Sequence, residues 1–169
     1  MSGAWAACAC LALVAAPDAR PDAPAPEHSV AGVEFTVPEG AVVENLSGLP
    51  DGVSGVAVSV DLEVVMLTVY QGKGAPSEEA ARSVHTEEVE RQAAESDKAF
   101  QTGSFRLPVL GRNRSGREVR YRRGGVREVA RVLAVGLEGR TIVAAWTVRA
   151  DVSAPRSPAI VQSLRVPKR

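Results

Sequence analysis

Ser104-Phe105-Arg106-Leu107-Pro108-Val109, Arg117-Glu118-Val119-Arg120-Tyr121-Arg122, Val129-Ala130-Arg131-Val132-Leu133-Ala134-Val135 and Ile142-Val143-Ala144-Ala145-Trp146-Thr147-Val148 follow one another between Gly103 and Val148. In the first two, apolar and polar residues alternate with the period of two that leaves a strand one dry face and one wet face. The last two are nearly continuous apolar runs, the pattern of strands covered on both faces. Asn113-Arg114-Ser115-Gly116, Gly124-Gly125 and Glu138-Gly139 stand at the junctions, and these residue types tolerate the backbone of tight hairpins. The stretch therefore reads as a four-stranded antiparallel meander.

Working outward, Gly32-Val33-Glu34-Phe35-Thr36-Val37-Pro38-Glu39-Gly40 reads as a short alternating strand stopped by a turn. Val53 to Val60 and Leu62 to Tyr70 give two further strands. The second is an almost unbroken apolar run suited to a buried position. Ser77 is placed to N-cap a helix reaching about Ser96, with Glu78 and Glu79 where the helix dipole favours anions. Its apolar stripe, Ala80, Ala81, Val84, Val89 and Ala93, is thin and small. Ser157-Pro158 opens a second, short helix, and Arg165-Val166 closes the chain as a short strand. The expected class is α+β: an antiparallel sheet of about six to seven strands with one long and one short covering helix.

The chain has 169 residues, enough for one domain with a core. Formal net charge is zero, with 20 basic and 20 acidic residues, but the charges segregate. Residues 33–100 carry 13 acids against 4 bases, and residues 101–169 carry 4 acids against 15 bases. The two halves should attract each other.

Ala4 to Ala16 is a run of small and apolar residues, too short for a bilayer and fitting the core of a secretory signal. Residues 1–16 are thus expected to be a leader, 17–31 a Pro/Ala-rich tether and 32–169 a single domain. The expected location is outside the cytoplasm, in the periplasm or anchored to the envelope; without a working leader it would be cytoplasmic. Cys8 and Cys10 are the only cysteines and lie inside the leader. They are the candidate positions for lipid attachment, which would add a membrane tether.

Phe35-Thr36-Val37-Pro38-Glu39-Gly40 at the start and Ile160-Val161-Gln162-Ser163-Leu164-Arg165-Val166 at the end, with a helix and a long meander between them, resemble the PsbP/DcrB-like family. The resemblance covers about residues 32 to 167. Ala41 follows the Pro-x-Gly turn where that family often carries Trp. The resemblance implies an α-β-α sandwich. It also implies the company of bacterial envelope lipoproteins, extrinsic photosystem subunits and Ran-binding proteins, which work as adaptors or assembly modules and share no catalytic set.

The residues themselves argue no enzyme and imply no cofactor or metal. His28 and His85 have no evident partner for a triad; His85 with Glu88 reads as a helical surface pair rather than a metal site. Gly111 to Gly116 has the glycine spacing of a phosphate loop, but Arg117-Glu118 replaces the Lys-Ser/Thr that would hold phosphate and magnesium, so it reads as a hairpin turn. Glu34, Glu39, Glu44, Asp51, Asp61 and Glu63 read as exposed carboxylates rather than a buried acid/base pair. What stands out is a basic cluster, Arg114, Arg117, Arg120, Arg122, Arg123 and Arg127, expected to form a docking patch for an acidic protein or anionic headgroups, or else a solvated face paired with the acidic helix. Nucleic acid is the least favoured partner, since few aromatics accompany the arginines. The expected function is that of an exported, non-enzymatic protein-binding or assembly module with an unidentified protein partner in the envelope. The alternative is a carrier holding a small ligand or lipid between sheet and helix.

Overall fold

The structure, a computed structural model, describes residues 27–167; the leader, most of the tether, Cys8 and Cys10 lie outside them. In chain order the elements are β1 (Glu27–Val30), β2 (Val33–Thr36), β3 (Val42–Asn45), β4 (Val53–Val60), β5 (Glu63–Gln71), α1 (Glu78–Ser96), β6 (Gln101–Val109), β7 (Arg112–Arg123), β8 (Val126–Leu137), β9 (Arg140–Arg149) and α2 (Ser157–Gln162). The protein is β-rich and mainly antiparallel. Strands β3 to β9 form a seven-stranded sheet in the order β3-β4-β5-β9-β8-β7-β6, and β1 pairs with β2 in a separate two-stranded sheet. β1 takes up Glu27–Val30, residues that the sequence reading assigns to the tether.

Alternation along the strands divides the core. Val56, Val58 and Val60 of β4, Val65, Leu67 and Val69 of β5, Leu133 and Val135 of β8, and Trp146 of β9 face one way. The β1–β2 hairpin and α2 cover them through Val33, Phe35, Ile160 and Val161. On the other face α1 packs over β7, β8 and β9. There Ala81 meets Val132, Ala134, Val143 and Ala145, and Ala93 meets Val119, Tyr121 and Ala130. Small side chains on both surfaces let the helix sit close.

The meander's first turn differs from the sequence expectation. The β6–β7 hairpin turns at Leu110-Gly111, both at positive φ (51° and 71°), the conformation of a two-residue hairpin loop that matches strand twist. Asn113-Arg114-Ser115-Gly116 lies inside β7, paired with Phe105 to Pro108. Gly116 is there for space: a Cβ would stand 2.4 Å from the Phe105 ring and 2.7 Å from the Val132 carbonyl. The ring crosses the glycine to meet Trp146 edge-on at 5.4 Å. Pro108 sits in β6, an edge strand, where its missing N–H disturbs no ladder on the open side. Arg165 makes a single antiparallel bridge to Glu34 and no longer strand.

Glu63 is also not where alternation suggests. It is buried (2% exposed) and accepts from Arg156 N at 2.8 Å, Ser157 N at 3.0 Å and the Ser157 hydroxyl. It satisfies donors at the start of α2, which has no side-chain cap of its own.

Candidate functional site: the uncovered half of the sheet

Because α1 lies over β7, β8 and β9 and reaches β5 only through His85, Val89 and Gln92, most of the same face of β3, β4 and β5 carries no helix. The register names what is left bare. One row across the sheet reads Val42–Ser59–Val64–Thr147 and the next Glu44–Ala57–Met66–Ala145. Among the described residues the exposed large hydrophobics are Val42 (56%), Leu62 (64%), Val64 (46%), Met66 (44%) and Val84 (63%). Four of these five belong to β3, β5 and the β4–β5 turn, and Val84 is on α1. Clustered apolar exposure of this kind marks interaction sites, whereas single exposed apolar residues do not.

The half-face has defined borders. Along one side, Val89 and Gln92 of α1 stand over Val64, Met66, Ala145 and Thr147 and enclose a groove of about 270 Å³. At one end the 46–49 loop closes down, with Leu46 and Leu49 over Gly55, where a Cβ would meet Leu46 at 2.9 Å. At the other end Leu62 stands beside Arg123, Glu128 and Arg149. Those arginines are engaged: Arg123 with Glu128 at 3.7 Å, Arg149 with Asp151 at 2.7 Å. The outer edge is the four-residue β3, with Glu44 exposed.

α1 is held in place from both ends. The Ser77 hydroxyl accepts from Ala80 N, and the Glu78 carboxylate accepts from Gly136 N of β8 at 3.0 Å. At the far end Asp97 accepts from Arg122 N of β7 at 3.0 Å. Midway, Tyr70 of β5 and His85 share a hydrogen bond of 2.8 Å, so His85 turns to the sheet instead of to Glu88. Burial lowers the pKa of His85 and raises that of Tyr70. Glu88 is bound instead by Arg91 and Gln92.

The six arginines singled out from the sequence are distributed over the fold. Arg114 reaches Glu78 at 3.8 Å. Arg117 lines a polar cleft of about 330 Å³ with Glu79, Glu87 and Glu90 of α1. Arg123 lies 5.5 Å over the Tyr121 ring. Arg120 pairs with the buried Glu118, which also holds Arg131 at 3.3 Å. Arg122 and Arg127 face each other across the β7–β8 hairpin, without an acidic partner among the described residues. Arg120, Arg122 and Arg127 border one depression together with Asp97 and Gln101.

Leu62, Val64 and Met66 are the residues that sequence reasoning missed. They sit in the apolar run read as a strand suited to a buried position, and only Val65, Leu67 and Val69 of that run are buried with Glu63 and Thr68. A continuous apolar run carries no signal of which face a helix will cover. Among the described residues no group of three or more His, Cys, Asp or Glu could hold a metal ion, and no helix is long and apolar enough to cross a membrane.

No protein-family model and no curated protein sequence matches the chain. Among solved structures, one from Bacteroides thetaiotaomicron VPI-5482 is similar over 81% of this chain, with a TM-score of 0.49 and 11% identity; the match covers 46% of that chain, so this protein spans less than half its length. A protein of unknown function from Pseudomonas aeruginosa, PA94, described as a putative regulator, is similar over 75% of this chain and 83% of its own, with a TM-score of 0.34 and 10% identity.

Proposed function

We propose that this protein is an exported, non-enzymatic binding or assembly module of the bacterial envelope, carried on a PsbP/DcrB-like domain with one long and one short covering helix. Its docking face is the uncovered half of the sheet. The supporting observation is the exposed row of Leu62, Val64 and Met66 beside α1, extending from Val64 over Ser59 to Val42. Export rests on the leader of residues 1–16, and anchoring on lipid attachment at Cys8 or Cys10. The intact mass of the protein recovered from envelope fractions tests both, since cleavage shortens the chain and acylation adds discrete mass.

A second reading, a carrier of a small apolar ligand, is favoured by the groove between α1 and β5. At about 270 Å³ that groove lies below the usual range for drug-sized ligands, roughly 300–1,000 Å³. A ligand filling it would leave Val42 bare on the outer strand. A protein surface covers the whole face.

Photo-crosslinking from position 66 in cells of the native host tests the assignment. A discrete protein adduct from position 66, lost when Val64 is replaced by Glu, is the expected result. Adducts to lipid or small molecules alone would favour the carrier, and a failure to crosslink to anything would remove the face as a binding site.

A further inference from the structure

We propose that the uncovered half-face receives a basic amphipathic α-helix of a protein partner, laid beside α1. This rests on the docking reading above and names the partner's chemistry. Three features of the face carry it.

The first is width. Strands lie about 4.8 Å apart, so the three bare strands β3, β4 and β5 make a floor about 14 Å wide. An α-helix with its side chains is about 10–12 Å across, so the floor takes one helix and no more. α1 already covers the other half of the same face over β7, β8 and β9, so a second helix there completes the layer on that side.

The second is the apolar pattern. Leu62 in the β4–β5 turn and Val64 and Met66 on β5 recur along one face, with Val42 and Ala57 beside them on β3 and β4. The bare stretch from Leu62 to Met66 is five residues, about 17 Å at 3.3 Å each, room for about 11 residues of helix at 1.5 Å each, because Leu46 and Leu49 close the end over Gly55 and Tyr70 is bound to His85. A helix stripe spaced at three and four residues meets this strip as its complement. The shallow groove under Val89 and Gln92 seats one row of that stripe.

The third is charge. The rims that would meet the partner's polar flanks carry more acid than base. Glu44 on β3 has no basic partner among the described residues, and Glu88, which accepts from the Gln92 that walls the groove, shares Arg91 with Glu95 on α1. Asp61 at the turn before Leu62 is paired with Arg156 at 3.6 Å. Arg91, between Glu88 and Glu95, is the base on that side of α1, and Arg123 and Arg149 at the far end are bound to Glu128 and Asp151. Lys or Arg flanking the partner's apolar stripe therefore finds complementary charge, while an acidic helix or an anionic membrane surface is repelled.

Two synthetic helices of about 18 residues, longer than the bare stretch so that they hold helix in water, test this, one Leu/Lys and one Leu/Glu with the same leucine positions. Their affinities are measured by fluorescence anisotropy for the full chain, for the Val64→Glu, Met66→Glu double variant, and for the Glu44→Lys, Glu88→Lys double variant. All four sites are exposed, and circular dichroism melts establish that each variant folds. The Leu/Lys helix is expected to bind at least about tenfold more tightly than the Leu/Glu helix, to lose about tenfold or more on Val64→Glu, Met66→Glu, and to lose several-fold on Glu44→Lys, Glu88→Lys. Equal binding of both helices, still abolished by Val64→Glu, Met66→Glu, would overturn the basic-helix assignment and leave the docking face standing. Binding of neither helix would also overturn it, and together with a failed crosslink from position 66 would remove the docking face itself. A free protein that is dimeric and made monomeric by Met66→Glu would assign the face to a second copy of the chain, overturning the proposal.

Discussion

Tyr70 on β5 and His85 on α1 are joined by a hydrogen bond of 2.8 Å, their rings meeting edge-on at 6.2 Å. The contact ties the long helix to the border between the covered and the bare half of the sheet. Tyr70 is the last residue but one of β5, and Leu62, Val64 and Met66 lie further back along the same chain direction. Where α1 rests on the sheet, and so which residues stay bare, depends partly on this pair.

The pair makes stability pH-dependent. Burial lowers the folded-state pKa of His85 below its ordinary 6.5, so the unfolded chain takes up the proton more readily. Its contribution is full above about pH 6.5, where the ring is neutral in both states, and is lost as pH falls from there toward the folded value. Denaturant titrations between neutral and mildly acidic pH should show wild-type stability falling more steeply than that of His85→Gln. Tyr70→Phe should cost about 0.5–1.5 kcal/mol at neutral pH through the lost hydrogen bond.

Gly116→Ala should destabilise by about 1–3 kcal/mol, because the new methyl group would overlap the Phe105 ring and the Val132 carbonyl. Thermal melts measure this, and Phe105→Leu in the same chain should recover part of the loss by freeing the space. A melt unchanged by Gly116→Ala would mean that the ring does not lie across the strand.

Glu63→Ala should cost about 1–3 kcal/mol or more, since it leaves the buried Ser157 N–H and hydroxyl and the part-buried Arg156 N–H without their acceptor. Hydrogen exchange should locate the loss at α2, with the Ser157–Gln162 amides exchanging faster and those of β7 and β8 little changed.

Arg127→Glu places a carboxylate opposite Arg122 on the β7–β8 hairpin, where two like charges now face each other. It should stabilise by about 0.2–1 kcal/mol, the usual size of a cross-strand charge effect. Arg120→Glu should do the reverse, because the Arg120 guanidinium neutralises the buried Glu118. Paired melts of the two variants separate an arginine that is structural from one that is free to meet a partner.

Much of the architecture is legible in residue order alone. Alternation in Arg117 to Arg122 and the apolar runs of Val129 to Val135 and Ile142 to Val148 place three strands of the meander. Ser77 announces the start of α1 and accepts from Ala80 N as a cap does. These are local properties: the period of a strand and the reach of a capping hydroxyl are set within a few residues.

Other features depend on partners far along the chain. Gly116 reads as a turn residue until β6 pairs with β7 and the Phe105 ring needs the room, while Leu110-Gly111 makes the turn. Glu63 reads as solvent-facing until α2, 94 residues later, brings it donors. The arginines read as one patch until pairing distributes them: Arg114 to Glu78, Arg117 to the cleft under α1, Arg120 to Glu118, and Arg122 opposite Arg127.

By itself the sequence determined that β5 is a strand and that apolar side chains line both of its faces. Only the tertiary structure decided that Val65, Leu67 and Val69 would be core while Leu62, Val64 and Met66 would be surface. The reason is geometric: α1 is about one helix diameter wide and, held by Gly136 at one end and Arg122 at the other, it covers β7 to β9 and ends its reach at β5.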